Sequence, residues 1–350
     1  MPDKARRAER LDEALFEWAG AQPLRRDVAH TVLALTRAAL ELRHRLERAP
    51  LVHGLDEVVA TNASGDECKV FDLEAHALFV GALASAPVSA VASEEADTAV
   101  KLEGGGRLAV ALDPLDGSGN TALNGPSGTI FSIRPSDPGS PETSFLGPGT
   151  DQLAAGFVLY GPATMLALSV GAGTDLFALD PDHETFVRTN QGVRVPLGTS
   201  VYAVNASNAR HWSLSFTAYV ADLQQGADGL RGRDFNMRWH GALVMETHRI
   251  LQQGGVYLYP ADSRPGCRSG RLRLVYEAQP VAFLVEQAGG AATDGLERIL
   301  DKAADDLHER TPLIFGSSDK VERVEWYLQR TASTATERQP LFRARGLFRE

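Results

Sequence analysis

The spacing of apolar side chains predicts a long amphipathic helix near the start of the chain. Between residues 24 and 48, apolar residues recur at helical spacing, with arginine and glutamate between them. A polar loop at residues 61–66 leads into a second helix through Phe71, Leu73 and Phe79. The first part of the chain therefore contributes two helices with buried faces.

Short apolar runs after these helices predict a β-sheet, because each run is too short for a buried helix. The predicted strands lie at residues 87–92, 108–112, 129–133, 155–160, 165–170, 174–178 and 185–188. The last three predict an antiparallel meander. Residues 135–150, rich in proline, glycine and serine, predict a surface loop between two of the strands.

The second half of the chain has a different pattern, in which strands and helices are interspersed. Its predicted elements are strands at 199–204, 255–259 and 272–276 and helices at 241–253 and 280–289. We place the boundary near Pro196, which gives an N-terminal α/β half, 1–197, and a C-terminal α/β half, 198–350. The predicted fold class is α/β, with mixed α+β character.

Composition limits the classes of function. The 350 residues include 43% hydrophobic and 23% charged residues, which is typical of a globular protein, and no apolar run reaches the ~18 residues of a membrane helix. A net charge of −10 argues against a nucleic-acid partner. The N-terminus lacks a signal-peptide core, and Cys68 and Cys267 are too few for a disulfide framework, so we expect a cytoplasmic protein.

The segment Asp113-Pro114-Leu115-Asp116-Gly117-Ser118 follows a predicted strand and carries two carboxylates on a stiff turn. These carboxylates and the Leu115 carbonyl are hard oxygen ligands of the kind that Mg²⁺ or Mn²⁺ takes. The small residues from Gly117 to Asn120 let backbone N–H groups approach an anion. Taken alone, the segment is also compatible with an ordinary Asp-capped turn. Together with further acidic residues elsewhere in the chain, this segment favours a phosphatase site.

Further acidic residues come at other predicted strand ends. Glu94 and Glu95 follow the strand at 87–92, and Glu277 follows the predicted strand at 272–276. Strand ends beneath helix N-termini are preferred places for sites in α/β proteins. We therefore expect Glu94, Asp113, Asp116 and Glu277 to form a cage for two or three divalent cations, although each glutamate alone is compatible with an exposed strand end.

A cationic segment offers an anion site in this acidic protein. Residues 264–273 contain four arginines and no acid. The alternative is an exposed hairpin loop in an arginine-biased sequence.

These features together resemble the class I fructose-1,6-bisphosphatases, within the metal-dependent, lithium-sensitive type of sugar and inositol phosphatases. The resemblance extends from about residue 62 to residue 317. The blocks that carry it are residues 62–72 (NASGDECKVFD), 93–95 (SEE), 112–120 (LDPLDGSGN), 128–133 (GTIFSI), 154–165 (AAGFVLYGPATM), 254–262 (GGVYLYPAD) and 270–295 (GRLRLVYEAQPVAFLVEQAGGAATDG).

The resemblance implies a layered αβαβα fold, with two mixed sheets sandwiched by helices, and an Mg²⁺- or Mn²⁺-dependent hydrolysis of the sugar 1-phosphate. The implied metal ligands are Glu94, Asp113, the Leu115 carbonyl, Asp116 and Glu277. The implied catalytic pair is Glu95 with Asp72, which prepares the attacking water.

Substrate contacts and assembly are implied in the same way. The implied substrate-binding residues are Asp116, Gly117, Ser118, Gly119, Asn205, Arg238, Trp239, Tyr257, Leu258, Tyr259 and Arg271. Arg238 lies where a neighbouring subunit reaches the second phosphate, which implies a homo-oligomer, either a tetramer or a dimer. Tyr257 and Tyr259 are also compatible with core packing, because aromatic residues at alternate strand positions usually pack.

Three departures from the family pattern affect the expected substrate. Gly119 replaces a serine, Arg271 replaces a lysine and Trp239 replaces a tyrosine, so the pocket could accept sedoheptulose 1,7-bisphosphate. The alternatives are an inositol-monophosphatase-like hydrolase and a non-catalytic sugar-phosphate binder. Arg107-Leu108 replaces the Lys-Tyr pair of the family's nucleotide site, which implies weak or absent AMP inhibition.

Overall fold

The computed structural model describes residues 9–51, 58–61, 67–137 and 139–337. The predicted loop at 61–66 lies outside these residues apart from Thr61, and so does the first part of the block at 62–72. In the described part of the chain, no helix has both the length and the apolar character needed to cross a membrane.

A mixed sheet of eight strands forms the larger part of the first half. Its strands are β3 (Val88–Ser93), β4 (Val100–Lys101), β5 (Leu108–Asp116), β6 (Ser127–Pro135), β7 (Ala154–Tyr160), β8 (Met165–Ser169), β9 (Thr174–Asp180) and β10 (Thr185–Asn190). They lie in the order β10-β9-β8-β7-β6-β5-β3-β4. Strands β3 and β5 pair in parallel, and the other neighbours pair antiparallel. The predicted strands and the meander are confirmed.

A second mixed sheet has five strands in the order β12-β11-β13-β17-β15. These strands are β11 (Val201–Val204), β12 (Asn236–Met237), β13 (Val256–Tyr259), β15 (Ala291–Thr293) and β17 (Leu313–Gly316). Two small ribbons pair β1 (Val58–Thr61) with β2 (Glu67–Lys69) and β14 (Leu272–Arg273) with β16 (Arg310–Thr311).

The helices cover both sheets. They are α1 (Leu11–Ala19), α2 (Pro23–Arg48), α3 (Val70–Leu83), α4 (Ser118–Thr121), α5 (Thr143–Leu146), α6 (Leu214–Gln224), α7 (Leu243–Gln253), π1 (Leu274–Ala278, a π-helix), α8 (Gln279–Gln287) and α9 (Ser318–Glu337). Short 3₁₀ turns occur at Ala49–Leu51, Gly149–Asp151, Ala206–His211, Gly226–Asp228 and Ile299–Asp301. The predicted helix at 24–48 corresponds to α2, and the one at 241–253 corresponds to α7.

Alternation along β5 explains how the large sheet is buried on both faces. Leu108, Val110 and Leu112 belong to the core that contains α1, α2 and α3, and α3 contacts β5 directly. Ala109 and Ala111 point the other way, into the core that contains α7 and α8. Both sets are completely buried. The small alanines let the helices lie close to the sheet on that side.

The two sheets share α7 and α8 as a common layer between them. The core around these helices includes residues of both sheets, such as Phe157 of β7 and Tyr257 of β13. The opposite face of the five-stranded sheet packs against α6 and α9, through residues such as Leu258 and Val324. The layers therefore run αβαβα, which confirms the expected architecture. The division of the chain near residue 197 stays a prediction.

The predicted strand at 272–276 is wrong beyond its second residue. The strand ends at Arg273, and residues 274–278 form π1, which continues directly into α8. Leu274, Val275 and Tyr276 are fully buried. A short run of buried apolar residues does not distinguish a strand from a buried helical turn, which is why the pattern was misleading.

Candidate active site

A β-bulge at the end of β5 brings Asp113 and Asp116 to the same face. Asp113 pairs with Ile130 and Asp116 with Gly128, so β5 has one more residue than β6 across this stretch. On a regular strand, residues three apart would point to opposite faces. Two hydrogen bonds hold the bulge: Leu115 N donates to Asp113 Oδ1 at 3.1 Å, and Thr129 Oγ1 donates to the Pro114 carbonyl at 2.9 Å.

The turn after Asp116 packs tightly against the start of α7. Gly117 has φ +72°, and a Cβ there would lie 2.8 Å from the Ala242 Cβ, so glycine is required for both conformation and space. Val244 N donates to Asp116 Oδ2 at 2.8 Å. An N–H group in the first turn of α7 thus fixes the Asp116 carboxylate.

Glu277 reaches the same point from π1. Its Oε2 accepts a hydrogen bond of 2.6 Å from Arg273 N, at the end of β14. The π turn connects β14 directly to α8, and turns of this kind are frequent at functional sites. Asp113, Asp116 and Glu277 each offer a carboxylate oxygen, and these oxygens all lie within 4.8 Å of one another.

The electrostatics of this carboxylate trio (Asp113, Asp116 and Glu277) favour a cation. Burial raises the pKa of Asp116 to about 6, against hydrogen bonds from Val244 and Leu243 that lower it. Burial, and then the charge of Glu94, raise the pKa values of Asp113 and Glu277 well above their usual range. Opposite oxygens around Mg²⁺ at 2.1 Å lie about 4.2 Å apart, so the trio has the spacing and chemistry of a hard divalent site.

Glu94 lies on the wall of the site and is not one of the trio. Its Oε1 is 3.5 Å from Nε of Arg273, whose side chain is 2% exposed. Arg273 is therefore a buried counter-charge and not part of an exposed cationic loop. Arg264 is also neutralised, because its Nη2 lies 2.6 Å from Asp262. The prediction that the whole segment 264–273 forms a cationic patch is wrong for these two arginines, while Arg268 and Arg271 are exposed.

A cavity of about 350 Å³ contains most of the predicted site residues. Those that line it are Asp72, Glu94, Glu95, Asp113, Leu115, Asp116, Gly117, Ser118, Trp239, Tyr257, Tyr259, Arg271 and Glu277. Gly241, Leu243 and Leu272 line it as well. Its volume falls within the usual range for small-molecule sites. Acidic groups lie at one part of the wall, and Arg271 supplies an exposed cation at another.

A larger cavity, of about 960 Å³, lies away from this chemistry, between α1 and strands β8 to β10. Arg188, one of its charged lining residues, is already paired with Glu9 at 2.7 Å and with Asp175 at 3.1 Å. Size alone therefore does not identify the site. We take the carboxylate cavity as the candidate because charged groups converge there without full compensation.

Three aromatic rings form one wall of the carboxylate cavity. Trp239 stacks on Tyr257 with 5.7 Å between ring centroids and on Tyr259 with 5.9 Å. Tyr257 is only 4% exposed and also contacts Phe315. Burial raises the pKa of both tyrosines, so both hydroxyls stay protonated. Tyr257 thus has the core-packing role left open by the sequence, and it still reaches the cavity.

Four predicted residues are not among those that line this cavity. Gly119 is exposed on α4, and Arg238 is exposed at the end of the edge strand β12. The Leu258 side chain is fully buried against α6 and α9, because β13 alternates and its neighbours Tyr257 and Tyr259 face the other way, and a substrate contact by Leu258 stays a prediction. Asn205 lines a separate small cavity near Tyr259.

Asn205 has a structural role at that small cavity. Its Oδ1 accepts from Ser207 N at 3.3 Å, which caps the 3₁₀ turn Ala206–His211. Asn208 and Trp212 share the cavity with it, and the sequence analysis missed both. No signal in the sequence indicated that Arg273 is buried. It belongs to a ten-residue segment with four arginines, and such a segment suggests exposure.

The proposed catalytic pair also lies at the carboxylate cavity. Asp72 is 5% exposed in the first turn of α3. Glu95 is half-buried just after β3, where its N–H donates to Ser93 Oγ at 3.4 Å. The structure therefore brings both acidic side chains to the same wall as the trio.

Two family profiles match most of the chain. The family profile described as the N-terminal domain of fructose-1-6-bisphosphatase matches residues 17–191, and that of the C-terminal domain matches residues 195–329. The chain is 48% identical to the fructose-1,6-bisphosphatase class 1 of Methylorubrum extorquens over 340 residues, which cover 97% of each chain. It is also 48% identical to that of Azorhizobium caulinodans over 322 residues, covering 91% of this chain and 98% of the relative.

A solved structure shows the same fold. The crystal structure of Leishmania major fructose-1,6-bisphosphatase in holo form matches with a TM-score of 0.85 at 31% identity, covering 92% of this chain and 99% of that one. The profiles together span most of the described chain, and the bacterial relatives match over nearly their full length. The chain belongs to the class 1 fructose-1,6-bisphosphatase family.

Proposed function

We propose that the protein is a metal-dependent fructose-bisphosphatase, which hydrolyses the 1-phosphate of D-fructose 1,6-bisphosphate to give fructose 6-phosphate and phosphate. The observation that carries this proposal is the carboxylate trio, of which Asp113 and Glu277 are buried, at a cavity whose other wall has an exposed arginine and stacked aromatic rings. Membership of the class 1 family supports the same substrate and reaction.

The trio is proposed to hold Mg²⁺ or Mn²⁺, with Glu94 and the Leu115 carbonyl as further ligands of two or three ions. The fit rests on hard oxygen donors whose like charges lie within 4.8 Å of one another. When bound, such ions supply positive charge that polarises the phosphate and stabilises the leaving oxygen. Asp116 is held for this role by Val244 N, and Glu277 by Arg273 N.

Glu95 and Asp72 are proposed to orient the attacking water and to accept its proton. Both line the cavity with the trio, as a general base near a reacting phosphate must. The turn from Asp116 to Gly119 is proposed to hold the reacting phosphate. Gly117 contributes to this turn because any larger residue would push it away from α7.

The second phosphate and the sugar are proposed to bind at Tyr257, Tyr259, Arg271 and Asn205, with Trp239 as the stacking surface. Arg271 is the exposed cation at that end of the cavity. Arg238 is proposed to act on the site of a neighbouring subunit, so that the active form is a homo-oligomer. A cytoplasmic location stays a prediction.

A second substrate, sedoheptulose 1,7-bisphosphate, is favoured by the indole at position 239. Trp239 lies flat against Tyr257, with 9° between the rings, and presents a broad surface at the sugar end. A longer sugar can lie along such a surface without a new charged group. The first phosphate would react in the same way for both substrates.

The test compares phosphate release from three substrates in the presence of Mg²⁺: fructose 1,6-bisphosphate, sedoheptulose 1,7-bisphosphate and inositol 1-phosphate. We expect the sugar bisphosphates to be hydrolysed and inositol 1-phosphate to be left intact. The matched control is Asp113→Asn, which keeps size but removes one carboxylate of the trio. Release from inositol 1-phosphate alone, or release unaffected by Asp113→Asn, would contradict the proposal.

A further inference from the structure

The acidic loop, residues 94–97, is anchored on both sides of Glu95. On one side, the Glu94 carboxylate faces Arg273 Nε at 3.5 Å. On the other side, Nε2 of His308 lies 3.1 Å from the Ala96 carbonyl oxygen. A carbonyl only accepts, so His308 Nε2 carries the hydrogen and donates it. Glu95 therefore lies between two anchored neighbours, the Glu94 side chain and the Ala96 carbonyl.

The segment that carries His308 is itself fixed to the rest of the site. Arg273 Nη1 donates to the His308 carbonyl at 3.2 Å, and Leu274 N donates to the Glu309 carbonyl at 2.8 Å. His308 N donates to Asp306 Oδ1 at 2.7 Å, and the imidazole packs against Tyr276 with 5.5 Å between ring centroids. The donor on His308 is thus held at a defined position relative to Glu277 and Arg273.

These contacts form a closed circuit around Glu95. The circuit runs from Glu94 to Arg273, from Arg273 to the carbonyl of His308, from the imidazole to the Ala96 carbonyl, and back along the backbone. Arg273 fixes the side chain of Glu94, whereas His308 fixes the main chain beyond Glu95. The main chain at Ala96 is held in addition by the hydrogen bond of 3.1 Å from Ala96 N to the Ser93 carbonyl, so His308 contributes the contact from outside the loop.

We propose that His308 is a positioning residue that holds Glu95 in place for proton transfer, through the main chain of Ala96. His308 does not line the cavity, so it acts on the reaction only through the acidic loop. The inference rests on the proposed role of Glu95. A proton acceptor must lie within hydrogen-bond distance of the water that it activates, and small misplacements are costly for the rate.

The test compares His308→Gln with His308→Asn by steady-state phosphate release from fructose 1,6-bisphosphate at saturating Mg²⁺. The glutamine amide nitrogen can take the position of Nε2 and donate to Ala96, whereas asparagine is too short. One neutral hydrogen bond corresponds to roughly a fivefold effect. We expect kcat to fall about 5- to 10-fold in His308→Asn, with KM and the half-saturating Mg²⁺ concentration little changed. His308→Gln should restore most of kcat.

One control separates positioning from general damage. His248→Ala removes another buried imidazole, which packs against Phe157 outside the circuit, and it should leave kcat near that of the parent. Equal losses in His308→Gln and His308→Asn would overturn the inference, and so would a loss expressed mainly in KM. Unchanged kcat in His308→Asn would overturn it as well.

A double-mutant cycle with Glu95→Gln distinguishes this inference from the proposed function. If His308 acts through Glu95, then His308→Asn should slow the Glu95→Gln enzyme by less than twofold, because the group that it positions is already lost. Additive effects would refute the role of His308 and leave that of Glu95 intact. Normal turnover in Glu95→Gln alone would instead refute the proposed role of Glu95, and with it the premise of the inference.

Discussion

Asp116→Asn should stabilise the metal-free protein at neutral pH, although it removes a charged group from the site. Burial raises the pKa of Asp116 from 3.8 to about 6. The folded protein therefore binds a proton more tightly than the unfolded chain does. The stability associated with this proton is complete below about pH 4 and is lost as the pH rises through about 6.

The magnitude follows from the size of the pKa change. A rise from 3.8 to about 6 corresponds to about 2–3 kcal/mol in the free energy of unfolding, at 1.36 kcal/mol for each pH unit. Asparagine avoids this cost and can still accept the hydrogen bond from Val244 N. For a chain of this length, the gain corresponds to a Tm increase of about 3–4 °C.

The assay is thermal unfolding of parent and variant in the presence of EDTA, at pH 7.5 and at pH 4. We expect Asp116→Asn to have the higher Tm at pH 7.5 and nearly the same Tm at pH 4. With saturating Mg²⁺ the order should reverse, because the parent then gains a ligand that the variant lacks. A lower Tm for the variant in EDTA at pH 7.5 would refute the reasoning.

Asp137→Asn is the matched control for this experiment. Hydrogen bonds from Gly139 N and from the Thr143 hydroxyl lower the pKa of Asp137, which is the opposite direction to Asp116. Its contribution to stability is present at neutral pH and is lost as the pH falls through the lowered pKa. Asp137→Asn should therefore give no gain in Tm at pH 7.5, with or without Mg²⁺.

Three further predictions concern turnover and folding. Glu95→Gln should lower kcat by roughly 10²-fold or more while leaving the half-saturating Mg²⁺ concentration near that of the parent, and an unchanged kcat would exclude a general-base role. Arg271→Ala should raise KM for fructose 1,6-bisphosphate more than it lowers kcat, because an exposed cation would only anchor the distal phosphate; an effect confined to kcat would contradict this. Gly117→Ala should lower Tm and nearly abolish phosphate release, because its φ of +72° costs about 1–2 kcal/mol for alanine and its Cβ would lie 2.8 Å from Ala242. Normal activity in that variant would show that the turn after Asp116 can move.

Much of the fold was predictable because hydrophobic spacing determines which faces are buried. The helix α2 and the strands β5 to β10 follow their patterns closely, since each has a regular period and a core face. The segment after β14 could not be assigned in this way. Leu274, Val275 and Tyr276 are buried on every side, so their hydrophobicity carries no period.

The acidic residues of the site were predictable from their chemistry, but their arrangement was not. Two aspartates at the end of β5 indicated a metal site, although only the bulge in β5 explains how both face the same cavity. Arg273 was predicted to belong to a cationic segment, and its burial beside Glu94 depends on tertiary packing that local sequence does not encode. His308 lies far along the chain from the acidic loop that it contacts, and no motif connects the two.

The site depends on the number of residues between Asp113 and Asp116 as well as on their side chains, because β5 has one extra residue there. Shortening that stretch by one position, while keeping both aspartates, would restore regular pairing with β6 and leave both aspartates on one face, two positions apart. The bulge would then be lost, together with the hydrogen bonds that hold it, from Leu115 N to Asp113 and from Thr129 to the Pro114 carbonyl. Related proteins that retain this chemistry should therefore tolerate exchange of Leu115 for other apolar residues far better than deletion of either Pro114 or Leu115.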